Sequence, residues 1–192
     1  LFTDNPQKFM VKIYNGESGS GTLRWQGYVN TGIYTENYST PASLLGEITI
    51  YCNDSMAVLD TIAYKQVNGS RYSGTQRVDQ ILANVISKLS NAYVNIKASN
   101  DIQVDDSITN IFYSLSLPNE NFEDENGVAM SCRVVLDSIM GGLTLGMYFE
   151  GPNIYVIDPI NLHDTTKGKN HLYADFTTET VDPMGGYLDI TN

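Results

Sequence analysis

Between Val78 and Leu89 the apolar residues Val78, Ile81, Leu82, Val85, Ile86 and Leu89 recur at the spacing of one helical face. No other stretch repeats so plainly with a period near 3.6, and Thr75 ahead of it is a good N-cap, so a helix is expected over Thr75 to Leu89. An amphipathic helix must bury its stripe against another layer. The rest of the chain supplies that layer mostly as strands.

Phe9, Val11 and Ile13 alternate as one face of a half-buried strand, which is expected to point inward. The Gly- and Ser-rich run Asn15 to Gly21 then makes a turn, and Thr22 to Val29 resumes an extended pattern, completing a hairpin. After a polar connection holding Pro41, Gly46 to Cys52 alternates again, with Ile48, Ile50 and Cys52 expected inward. Asn53-Asp54-Ser55 can cap a short helix carrying Met56, Leu59 and Ile62. Tyr93 to Ile96 reads as a brief strand, and Ile108 to Leu117 mixes extended pattern with loop. Ser131 is a second N-cap, for a helix with Val135, Leu136, Ile139 and Met140 on one side and Gly141-Gly142 as its stop. Leu143 to Phe149 and Ile154 to Ile157 flank the turn Glu150 to Asn153, giving a hairpin, and Leu172 to Phe176 is a last strand. The expected fold class is α+β: an antiparallel, barrel-like β lobe and a small lobe of two helices with a β-hairpin. By residue this divides into a β-rich lobe at 1–70, an α+β lobe at 71–160 and a β-rich C-terminal segment at 161–192 that could return to the first lobe.

Apolar residues are 42% of the chain and charged ones 17%, which excludes a disordered tail. The formal charge of -11 repels a phosphate backbone, so no specific nucleic-acid partner is expected. Without a run of about 18 apolar residues, no helix can span a bilayer. Cys52 and Cys132 show neither CxxC nor Cys/His spacing and read as two buried thiols. The chain begins at Leu1 and stops at Asn192 just after a strand-like run, the pattern of a domain cut from something longer.

Asn119 to Gly127 offers oxygen ligands of the kind calcium takes, but its spacing is not that of an EF-hand, and a solvated loop is expected. Gly16 to Gly21 has neither a G-x-S-x-G elbow nor a phosphate-cradling order. His163 and His171 lie in a polar region far in sequence from either cysteine. No pair of carboxylates stands out for glycoside hydrolysis. No catalytic residue, metal or cofactor is therefore expected, and the chain is read as a non-enzyme. Trp25, Tyr28, Tyr34 and Tyr38 gather in one region; strand packing, an oligomer interface and a sugar-stacking platform all remain open for them.

Two separated motifs carry a resemblance. The first is Leu23-Arg24-Trp25-Gln26-Gly27-Tyr28-Val29, then Tyr34 and Tyr38 to Pro41, then Gly46 to Asp54 and Leu59. The second is Met130 to Leu136 followed by Ile154 to Ile157. Together they resemble the tail or baseplate hub proteins of phages and prophages of Bacteroides-type bacteria, over about residues 8 to 158. Ser55 stands where that family commonly has Gly, and Tyr155 where it often has Trp. The resemblance implies a structural virion component linking tail tube and baseplate. Its partners would be copies of itself in a ring, a trimer, and other tail and baseplate proteins; it would assemble in the bacterial cytoplasm. A carbohydrate-binding or adhesin module is the alternative function, and a cell-wall hydrolase the third.

Overall fold

The computed structural model describes residues 3–16, 21–36, 48–89, 95–99, 111–159, 168–173 and 178–183. Three antiparallel strands come first: β1 (Met10–Asn15), β2 (Thr22–Glu36) and β3 (Ile48–Asp54), ordered β1-β2-β3. Among the described strands this sheet is open, with β1 and β3 at its edges. Asp54 ends β3 and caps α1 (Ser55–Leu59), its carboxylate accepting the Ala57 N–H at 3.0 Å.

β4 (Thr75–Arg77) leads into α2 (Val78–Ile86), and β5 (Asn95–Ser99) precedes α3 (Ile111–Ser114) and β6 (Ser116–Pro118). A 3₁₀ turn at Asn119–Phe122 leads on to α4 (Cys132–Gly142) and the hairpin β7 (Gly146–Glu150) and β8 (Asn153–Ile157). Finally β9 (Gly168–Tyr173) and β10 (Thr178–Pro183) join a five-stranded sheet ordered β10-β9-β5-β8-β7, in which β5 and β8 run parallel. The fold is α+β.

The core lies between α2, α4 and the inner face of the β7–β8 hairpin. Val78, Ile81, Leu82 and Val85 of α2 are fully buried, as are Val135 and Leu136 of α4 and Ile154 and Val156 of β8. Each such side chain contributes roughly 1.5–3 kcal/mol of burial. Leu59 and Tyr64 belong to the same cluster, so it draws on residues from both sides of position 70.

Helix boundaries differ from expectation in two places. Thr75 does not cap α2: residues Thr75, Gln76 and Arg77 find ladder partners in Pro118, Leu117 and Ser116, and the Val78 N–H donates to Leu115 O. The backbone is thereby held extended until Val78, and Arg77 takes the N-cap position. Gly141-Gly142 does not stop α4 either, because the helix runs through both. It ends where Thr144 adopts φ 56°, the Leu145 N–H donating to Met140 O and the Thr144 N–H to Gly141 O. That is a Schellman motif with a β-branched residue where Gly is usual. Ser131, by contrast, caps α4 as its sequence suggests, its Oγ accepting the Val134 N–H.

A third difference concerns the N-terminal sheet. Phe9, Val11 and Ile13 do share a face, but Ile13 is 54% exposed and Phe9 38%. Ile50, expected inward, is 47% exposed, and Cys52 is only half-buried. Only part of the opposite face packs inward: Met10 rests against the core and Tyr28, directly opposite it on β2, is 1% exposed, whereas Tyr14 and Tyr51 are as exposed as Ile50. Alternation shows that residues share a face; the position of the helices decides which face is covered.

Candidate functional site

The most conspicuous exposed feature among the described residues is this outward sheet face. Antiparallel register places Ile13 opposite Trp25, Val11 opposite Gly27 and Cys52 opposite Val29, and directly opposed residues share a face. The face therefore carries Phe9 just ahead of β1, Val11 and Ile13 of β1, Trp25 and the buried Val29 of β2, and Ile50 and Cys52 of β3. A register shift between Ile13 and Tyr14 leaves Arg24 without a cross-strand partner, and a second between Val29 and Tyr34 lets β2 bend along its length.

The Trp-x-Gly step has a steric cause. A Cβ on Gly27 would lie 2.5 Å from Trp25 Cη2 and 2.3 Å from the Asn53 carbonyl oxygen. The indole thus lies along the bare Gly27 backbone, which fixes its orientation on the outer face and leaves it half-buried.

Trp25 and Tyr28 do not share a face. Trp25 lies on the outer face, whereas Tyr28, three residues on and of opposite parity, is interior. Tyr34 lies in β2 opposite Ile50. Tyr38 lies outside the described residues, as does His163. His171 falls in β9, opposite Lys97 of β5. The exposed residues Phe9, Ile13 and Ile50 were missed as surface candidates, although their parity with Trp25 and the space left by Gly27 were readable signals.

Elsewhere the polar groups serve the architecture. Tyr64 stacks near Tyr72 (centroids 4.6 Å apart) and meets Phe122 edge-on, and its hydroxyl lies 3.3 Å from Asn119 Oδ1. Burial pushes its hydroxyl up to about 12, and the neighbouring Cys132 thiol up to about 11. A thiol so raised is held in its unreactive form at neutral pH.

The acidic 119–127 stretch is partly structural. Asn119 is buried and donates through Nδ2 to Gly74 O, while Glu120 accepts the Gly74 N–H at 3.1 Å. Hydrogen bonds from its own backbone N–H and from Gly74 hold the Glu120 carboxyl below its usual range. Asp124 accepts the Asn126 and Val128 N–H groups, and Arg71 bridges Glu123 Oε2 at 2.9 Å and Gly127 O at 2.8 Å. No three His, Cys, Asp or Glu side chains among the described residues are grouped to hold a metal.

Two clefts meet at Pro6 and Thr61. One of about 480 Å³ is lined by Asp4, Asn5, Gln7, Ile62 and Lys88, and one of about 200 Å³ by residues that include Tyr28, Val29, Asn53 and Val58. No protein family, curated protein or solved structure matches the chain.

Proposed function

We propose that this chain is a structural subunit of a multi-copy assembly, of the tail or baseplate hub kind that its two motifs resemble. The observation that supports the reading is the apolar outer face of β1–β2–β3, with Ile13, Ile50 and Phe9 each more than a third exposed beside a half-buried Trp25. Apolar side chains gathered on a sheet surface mark a contact surface, because water leaves them unfavourably solvated. Among the described strands β1 and β3 stand at the edges of the sheet, where further pairing can build. Barrel-like closure of this lobe, the ring and its threefold symmetry, and a place between tail tube and baseplate belong to the same proposal.

Light scattering on the purified chain across a wide concentration range tests it. Masses at multiples of 21.2 kDa that grow with concentration are expected. A monomer at every concentration would count against the assembly. Genes for tail tube, tape measure and baseplate beside this one would support its place in a tail; genes for polysaccharide uptake would favour the adhesin alternative.

A further inference from the structure

We propose that Asn68 is a site of spontaneous modification: the Gly69 amide nitrogen attacks its side-chain carboxamide and closes a succinimide, which water opens to aspartate and isoaspartate.

Three Asn-Gly pairs occur in the chain, at Asn15, Asn68 and Asn126. Glycine after asparagine leaves the attacking nitrogen unshielded by any side chain. Asn15 belongs to β1 and is held in its ladder opposite Thr22. The other two stand in matched turns: the Gly69 N–H donates to Gln66 O and the Gly127 N–H to Asp124 O, each at 2.9 Å, and the two glycines have φ 84° and 71°. Asn68 and Asn126 are both exposed.

The turns differ in where the next N–H goes. At Asn68 the Ser70 N–H donates to the Asn68 Oδ1 at 2.9 Å. This turn folds the carboxamide back over the Gly69 amide and sets its carbon beside the nitrogen that must attack. The donor also meets the oxygen on which negative charge grows as the tetrahedral intermediate forms, so it holds the transition state more tightly than the resting amide. At Asn126 the corresponding N–H, that of Val128, is taken by Asp124 Oδ1 at 2.7 Å, and the same oxygen accepts the Asn126 N–H. Asp124 thus withdraws the activating donor and sets a negative charge near the Gly127 nitrogen, which opposes loss of its proton. Arg71, donating to Gly127 O at 2.8 Å, pins that turn further.

Solvent supplies everything the reaction needs. Hydroxide removes the Gly69 amide proton, the N–Cγ bond forms, the Cγ–Nδ2 bond breaks, and ammonia leaves after taking up a proton from water. Hydrolysis at Cγ then gives aspartate, and hydrolysis at the main-chain carbonyl gives isoaspartate, with one extra carbon in the backbone. Either product exchanges NH for O and carries a new carboxylate, without oxidation or reduction.

Peptide mapping by mass spectrometry, on the folded 192-residue chain held at mildly alkaline pH, tests the assignment. The tryptic peptide Gln66–Arg71 reports on Asn68. Asn68 is expected to convert about fivefold faster than Asn126, or more. In urea, where both turns are lost, the two rates are expected to converge. Asp124→Ala frees the Val128 N–H and is expected to speed conversion at Asn126. If Asn68 stays unconverted, if Asn126 converts as fast in the folded chain, if the preference for Asn68 persists undiminished in urea, or if Asp124→Ala leaves Asn126 unchanged, the assignment is overturned.

Discussion

Ile81 and Ile13 each belong to a regular apolar stripe, but Ile81 is fully buried and Ile13 is 54% exposed. In α2 the stripe meets α4, Phe112 and the inner face of β8, and the helix is held by what it covers. In the N-terminal sheet Met10 rests against the core and Tyr28 and Val29 are buried, whereas Phe9, Ile13 and Ile50 are each more than a third exposed. The same chemistry therefore stabilises the fold in one region and stands exposed in the other.

The largest test of this contrast is a pair of truncations. Leu82→Ala removes a fully buried side chain and should cost about 2–5 kcal/mol by urea unfolding. Ile13→Ala should change stability by no more than about 0.5 kcal/mol. Comparable losses at both positions would mean that the outer face is covered within the chain itself, and the contrast would fail.

Tyr64 sharpens the helical side. Its hydroxyl is at about 12 in the folded chain against 10.0 when unfolded, so its contribution is complete below pH 10. As pH rises from 10 towards 12 the unfolded chain ionises first, and ~2–3 kcal/mol of stability is lost. Tyr64→Phe has no proton to lose, and its stability should fall correspondingly less over that window in alkaline denaturation.

On the sheet side, Gly27→Ala should cost about 1–3 kcal/mol, because the added methyl meets the Asn53 carbonyl, which cannot swing away, as well as the Trp25 ring. A neutral result would show that the indole is free to leave Gly27. The smallest effect is expected at the end of α4. Thr144→Gly relieves a left-handed β-branched residue and should stabilise by about 0.5–1 kcal/mol, the relief being partly offset by glycine's greater freedom when unfolded. Unchanged thermal unfolding would argue that Thr144 Oγ1, which donates to Leu143 O, compensates the strain.

Much of the fold was legible where a pattern has one interpretation. Ser131 at the start of α4, Asp54 at the start of α1 and the turn between Phe149 and Ile154 follow from local capping and turn chemistry. α2 was legible in its interior and not at its start, since Thr75 is claimed by a ladder to Pro118 far along the chain. α3 is only four residues long, too short to display a period. The candidate site was half legible. Trp25 and Gly27 were marked by spacing, but period two alone could not say which side of the sheet lies towards the helices. Tyr28 had to lie opposite Trp25 once both were on one strand, and its interior place follows.

The parallel pairing of β5 with β8 has a kinetic meaning. Asn95 meets Asn153, and α3, the 3₁₀ turn and α4 all lie between them in the chain. A loop of that size must be closed before any bond of the ladder forms, whereas β7 and β8 need close only the turn at Gly151. Pulse-labelled amides of β8 should thus become protected on their β7 side earlier than on their β5 side, and the central sheet should mature from one margin inward during refolding.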